Sequence, residues 1–114
     1  MTQNTEIKVP DDRVLEFKAR LFKVIGDPNR LKALEILRSG ENCQCEIVPL
    51  LGQSQPTVSR HLKLLEDAGL ITSRKDGTRM FYKVVNEHIF NLLDSIDDNM
   101  IEVVSQEIAK KYRF

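Results

Sequence analysis

The sequence predicts a mostly α-helical domain carrying one small β-hairpin. Three observations predict it. Apolar residues recur at helical spacing in several capped stretches, two short runs (Leu70 to Lys75 and Thr78 to Val84) meet at Asp76-Gly77, and 114 residues suffice for one modest core. The expected order is four helices, the hairpin and a fifth helix.

Residues 1–10 are polar, end in a proline and read as a flexible N-terminal arm; residues 11–114 read as the folded domain. Asp11 or Asp12 can cap a first helix reaching about Ile25, with Val14, Leu15, Leu21, Phe22 and Ile25 as its apolar positions. Asp27 caps a second helix, Pro28 takes its first position, and Gly40 ends it after Leu31, Leu34, Ile36 and Leu37. Cys43 to Leu51 is a short third helical pattern with Asn42 as its cap, and Gly52 breaks it. Ser54 caps the fourth helix, Gln55 and Pro56 occupy its first turn, and Gly69 supplies the left-handed stop. Asp76-Gly77 is the strongest two-residue hairpin signal. Asn86 then caps a long last helix toward Lys111, carrying Ile89, Phe90, Leu92, Leu93, Ile96, Met100, Ile101, Val103, Val104 and Ile108.

Within the fourth helix, Val58, Leu62, Leu65 and Ala68 form the inward stripe. Gln55, Thr57, Ser59, Arg60 and Lys63 are thereby turned outward, and His61 is read with them, together with the cap Ser54. Arginine pairs bidentately with guanine, glutamine with adenine, and serine or threonine reaches bases or phosphates, so this face suits a DNA major groove. Arg74, Lys75 and Arg79 crowd the hairpin tip, which suits phosphate or minor-groove contact. Helix, tight turn, helix and basic hairpin, in that order, make a winged helix-turn-helix.

Net charge is zero, with 17 basic and 17 acidic residues, so overall charge does not argue for nucleic acid. Its distribution does. Arg60, Lys63, Arg74, Lys75, Arg79 and Lys83 outnumber Glu66, Asp67 and Asp76, whereas Glu87, Asp94, Asp97, Asp98 and Glu102 dominate the C-terminal stretch. No apolar run approaches a membrane span and the N-terminus lacks a signal-peptide pattern, so the chain reads as cytoplasmic with no membrane partner. No nucleophile-base pair or phosphate-cradling glycine loop points to an enzyme.

The first and last helices carry more apolar side chains than a small winged domain can cover. Either the last helix folds back on its own core, or a homodimer with two-fold symmetry buries them and sets two copies of the fourth helix about one DNA turn apart, facing operator DNA with inverted-repeat half-sites. DNA binding itself calls for no cofactor.

Cys43 and Cys45 are the two cysteines. Residues two apart do not share a helical face, so both can grip one ion only if the helix start is open. Thiolates near a helix N-terminus have lowered pKa, which suits metal capture and redox reaction alike. The pair therefore reads as a metal site, a dithiol-to-disulfide switch, or small half-buried side chains with no sensing role. A small thiol oxidoreductase or metal-buffering protein is a reading from another class, but its usual Cys-x-x-Cys in a βαβ context is absent. A winged-helix module that binds protein instead of DNA is a further one, against which Arg60, Lys63 and the wing cations argue.

Several motifs together resemble the ArsR/SmtB family of prokaryotic winged-helix repressors. They are Gly26-Asp27-Pro28-Asn29-Arg30-Leu31, Cys43-Gln44-Cys45-Glu46-Ile47, Ser54 to Lys63, and Ala68-Gly69-Leu70-Ile71, in the family's order. The resemblance implies a dimeric repressor that leaves its operator on sensing an inducer. It also implies that a Cys-x-Cys here is the core of a site for trivalent arsenic or antimony, or for soft cations such as cadmium and lead. The chain departs from the fuller patterns: Val48 stands where some arsenic-responsive relatives have a third cysteine, and the N-terminal arm has none. Where zinc-responsive relatives place Asp, His, His and an acid or His on the last helix, this chain has Asn86, His88, Asn99 and Glu102, which leaves at most a residual site at His88 and Glu102.

Overall fold

The structure, a computed structural model, describes residues 6–113; residues 1–5 of the expected arm lie outside the described residues. Residues 6–10 have no regular structure. Helix α1 (Asp12–Ile25) starts where the Asp11 carboxylate accepts the N–H of Arg13 at 2.7 Å. Helix α2 (Pro28–Ile36) starts at Asp27, whose carboxylate accepts the N–H groups of Asn29 and Arg30 at 2.8 and 3.2 Å. A 3-10 turn (Leu37–Ser39) follows, and Gly40 leaves it at φ +132°. Then come β1 (Asn42–Cys43), α3 (Gln44–Leu51), α4 (Gln55–Asp67), β2 (Ile71–Asp76), β3 (Arg79–Val84), α5 (His88–Asp94) and α6 (Asp98–Lys111).

The core is shared by the middle elements. Leu34 of α2, Ile47 of α3, and Val58, Leu62 and Leu65 of α4 are fully buried, and Ile71 and Tyr82 of the sheet close over them. Ile89 and Phe90 of α5 complete the cluster. Arg38 fastens α5 from outside: its guanidinium donates to the carboxylates of Glu35 (2.8 and 2.9 Å) and Asp94 (3.0 and 2.8 Å) and lies 4.6 Å over the Phe90 ring. The same hydrogen bonds hold the Asp94 carboxyl below the usual carboxylate range.

Four expectations are corrected. The last helix is two helices. Ser95 Oγ donates to the Asn91 carbonyl at 2.8 Å where α5 ends, and Asp97 caps α6 by accepting the Met100 N–H at 2.9 Å. Asn86 does accept the His88 N–H at 2.8 Å, but the helix it starts stops at Asp94.

The hairpin turn is shifted by one residue. Asp76 pairs with Arg79, so Gly77 and Thr78 are the central residues, and only Gly77 (φ +64°) has positive φ, as a type II′ turn requires. The sheet has a third strand, since Asn42 and Cys43 pair antiparallel with Tyr82 and Phe81, leaving β3 in the middle. Finally, the cap of α3 is Cys43, not Asn42. Asn42 instead donates its side-chain amide to the Ile36 and Gly40 carbonyls at 3.1 and 3.2 Å. Among the described residues no helix is long and apolar enough to cross a membrane.

Candidate nucleic-acid interface and cysteine site

The turn between α3 and α4 is made by Gly52 (φ +68°), and Ser54 restarts the chain as a helix. Ser54 Oγ accepts the Thr57 N–H at 3.4 Å and donates to Thr57 Oγ1 at 3.0 Å, so both hydroxyls are engaged in capping. Along α4 the residues Gln55, Ser59, Arg60 and Lys63 are exposed and Thr57 is half-buried. Lys63 lies 3.5 Å from Asp67 one turn on, an exposed pair of little energetic weight. Arg60 forms no ion pair among the described residues, nor do Lys75 and Arg79 of the wing.

His61 does not belong to this outward face. It is 4% exposed, and its Nδ1 lies 3.1 Å from Arg30 Nη1. Positions 58, 61, 62 and 65 follow the i, i+3, i+4, i+7 rule, so the periodicity that buries Val58 and Leu62 buries His61 as well. Arginine only donates, hence Nδ1 accepts and the imidazole is neutral with its proton on Nε2. Burial pushes the His61 pKa below its ordinary value, and Arg30 and Arg60 act in the same direction against Asp27. Arg30 also donates through Nε to the Val24 carbonyl, so this cluster ties α4 to the α1–α2 junction.

Arg74 is likewise committed within the molecule. Its guanidinium donates twice to Glu41, at 2.8 and 2.7 Å, and lies 4.6 Å over the Phe81 ring. The pairing holds the Glu41 carboxyl below its ordinary range. Among the described residues the wing-tip cations without an ion pair are Lys75 and Arg79.

Cys43 is in extended conformation (φ −71°, ψ 143°) and Cys45 is the second helical residue, so the two do not lie on one regular helix. Their sulfurs are bonded, with Cα atoms 5.1 Å apart. Cys43 Sγ also accepts the Cys45 N–H at 3.1 Å, and Glu46 Oε1 accepts the Cys43 N–H at 3.3 Å, which closes a capping box built on sulfur. Cys43 is buried and Cys45 exposed. Both line a cleft of about 390 Å³ with Gln44, Val48, Pro49, Gln55, Thr78, Arg79 and Met80.

Sequence reasoning did not reach this proximity of the cysteines to Gln55 and Arg79, which depends on β1 pairing with β3. No group of three or more His, Cys, Asp or Glu gathers among the described residues. His88 and Glu102 stand on different helices, with the His88 ring 3.1 Å from the Asn91 amide.

Comparison with known proteins agrees with this geometry. The model of the bacterial regulatory protein, arsR family, matches residues 27–73. An HTH-type transcriptional regulator of Methanocaldococcus jannaschii is 39% identical over 84 residues, 73% of this chain and 94% of that protein. The arsenical resistance operon repressor of Staphylococcus aureus is 33% identical over 91 residues, 80% of this chain and 86% of that protein. Among solved structures, the homodimeric winged helix-turn-helix DNA-binding domain from Mycobacterium bovis superposes with a TM-score of 0.66 at 27% identity, covering 95% of this chain and 98% of that one. The two relatives matched by sequence are transcription regulators by name. With its capped α3–α4 pair, its wing and these relatives, the chain belongs to the ArsR/SmtB family of winged helix-turn-helix DNA-binding repressors.

Proposed function

We propose that the protein acts as a homodimer that holds an inverted-repeat operator through α4 and the wing and releases it when a thiophilic metalloid or soft metal ion occupies Cys43 and Cys45. The operator-facing set is Ser54, Gln55, Thr57, Ser59, Arg60 and Lys63 on the helix, with Lys75 and Arg79 on the wing. His61, buried on Arg30, and Arg74, clamped by Glu41, are left out of it.

The sensing reading rests on one observation: the adjoining cysteines share a cleft with Gln55 and Arg79, two of the groups that would face DNA. The likeness to the arsenical resistance operon repressor of Staphylococcus aureus supports a metalloid as the inducer. Arsenous acid would condense with the reduced pair, two thiols and As(OH)3 giving a dithiolate As–OH and two waters. A small external thiol would then replace the hydroxide with loss of a third water. A hundredfold loss of operator affinity needs about 2.7 kcal/mol of coupling.

Fluorescence anisotropy on a labelled operator tests this with reduced protein. Arsenite, antimonyl or cadmium should release the wild type, while Cys43→Ser and Cys45→Ser bind DNA but stay bound. A double serine variant that still releases with the same ion would refute the assignment.

The bonded sulfurs favour a second reading, a dithiol switch. Hydrogen peroxide would take two electrons and two protons from the reduced pair, giving the disulfide and two waters. Release by peroxide with no release by any of the ions would replace the first reading with the second.

A further inference from the structure

Gln44 stands between the two cysteines and is the first residue of α3. Its side-chain amide donates to Ser59 Oγ on α4 at 2.6 Å, and its carbonyl oxygen accepts the Tyr82 hydroxyl of β3 at 3.4 Å. One side chain thus joins the cysteine loop, the exposed face of the recognition helix and the central strand of the wing. Burial, with Glu66 nearby, holds the Tyr82 phenol above its ordinary pKa, so the hydroxyl remains a donor. Ser59 Oγ accepts from Gln44 and keeps its own hydrogen for an outside acceptor, so Gln44 sets where that hydrogen points.

From these contacts we infer that Gln44 is the positioning residue that couples the cysteine pair to the DNA-facing side of α4, an inference that rests on the sensing role proposed above. The backbone carrying Gln44 is bracketed by sulfur: Cys43 Sγ takes the Cys45 N–H across it. In this structure the disulfide itself closes the bracket around Gln44. In the reduced chain that bond is open, and an ion held by both sulfurs closes the bracket again around a larger centre and re-sets the backbone at Gln44. Because both ends of the Gln44 amide are held, by Ser59 and by Tyr82, movement of its backbone is passed to Ser59 instead of being absorbed in free side-chain torsions. The bidentate Arg74–Glu41 pair resists an accompanying shift of the wing, since Glu41 lies two residues before Cys43 and Arg74 is on β2.

The test uses the reduced full chain and arsenite, with two readouts: arsenite binding from thiolate–arsenic absorbance, and operator affinity from anisotropy with and without arsenite. In the wild type the ratio of the two operator affinities should be about a hundredfold. Gln44→Leu, similar in size but without either hydrogen bond, should bind arsenite normally while the ratio falls to about tenfold or less, a loss of about 1.4 kcal/mol of coupling. Ser59→Ala removes the other end of the link and should lower the ratio similarly, with the double variant no further uncoupled. Gln44→Glu keeps acceptors for both hydroxyls but turns the Ser59 hydrogen inward. It should retain the ratio while weakening operator binding in both states.

A wild-type ratio in folded Gln44→Leu would overturn the proposal. Should that variant fail to fold, a wild-type ratio in Ser59→Ala would overturn it instead. A wild type that arsenite does not release sinks the metalloid sensing role and this coupling with it. A wild type released normally, with Gln44→Leu and Ser59→Ala released equally well, sinks the coupling alone.

Discussion

Helices α4 and α6 have nearly the same length, 13 and 14 residues, and both carry apolar residues at helical spacing. Helix α4 buries Val58, His61, Leu62 and Leu65 against its own domain, whereas no residue of α6 is buried. Met100, Ile101, Val104 and Ile108 lie about half exposed in α6, and Val14, Leu15, Phe17 and Phe22 do the same on α1. Amphipathic patterning therefore marks a face that needs a partner without saying which chain supplies it. For α4 the partner is local. For α1 and α6 we propose a second copy, as in the homodimeric Mycobacterium bovis structure.

Substitutions on the two helices should therefore fail differently. Leu62→Ala in α4 removes a side chain with no solvent exposure and should cost about 2 to 5 kcal/mol of folding stability. Equilibrium urea unfolding checks it, with the midpoint lowered at every protein concentration. Ile101→Asp with Ile108→Asp in α6 should leave each subunit's own core intact but yield monomers in sedimentation, and lower operator affinity by about a hundredfold or more, about 2.7 kcal/mol. The wild-type melting temperature should rise with protein concentration, and that dependence should vanish in the double variant. A wild type that sediments as a monomer at micromolar concentration would remove the contrast between the helices.

The same contrast explains what could be read in the sequence. Local chemistry was legible: Asp27, Ser54 and Asp11 accept backbone N–H groups at helix starts, and Gly69 (φ +80°) stops α4, because a cap depends on a few neighbouring residues. The inward position of His61 was also legible, since it falls on the apolar stripe, but its polarity argued for an outward position. Only the tertiary contact from Arg30 makes burial of that polarity tolerable.

The break between α5 and α6 hid behind uninterrupted apolar spacing through Leu92, Leu93 and Ile96. Its signal was Asp97, which acts as a cap in the middle of the supposed helix. Strand β1, the Arg74–Glu41 clamp and the link from Gln44 to Ser59 join residues 15 to 40 positions apart and leave no periodic trace.

Within the half proposed to face DNA, Arg79 and Arg74 differ in one respect: both are exposed arginines of the wing, and one is already paired. Arg60→Ala on the helix should weaken operator binding by about 1 to 3 kcal/mol if its guanidinium reads a base. Arg79→Ala should weaken binding to all sequences and flatten the salt dependence by a slope of about one per lost phosphate contact. Arg74→Ala should change that slope less, because Glu41 neutralises the guanidinium before DNA arrives. Equal slopes for the two wing variants, measured from anisotropy across a salt series, would show that the Glu41 pair opens on DNA.

The smallest expected effect separates His61 from every outward side chain of α4. Its pKa is lowered in the folded protein, mainly by burial, so the unfolded chain binds the proton more readily. Stability from this group is then fully present above the unfolded value of about 6.5 and is lost as pH falls through that value toward the folded one. Asp27, Glu41 and Asp94, with lowered carboxyl pKa values, lose their contributions only at more acid pH, below about 4.5. An interval from about pH 7.5 to 5.5 therefore isolates the histidine. There the wild type should lose stability with a slope below the limit of about 1.4 kcal/mol per pH unit for one proton. His61→Gln, which keeps an acceptor for Arg30 but cannot titrate, should be nearly flat over the same interval. Parallel slopes for the two proteins in urea unfolding would mean that His61 ionises as freely in the folded chain as in water, and that the Arg30 contact does not hold it neutral.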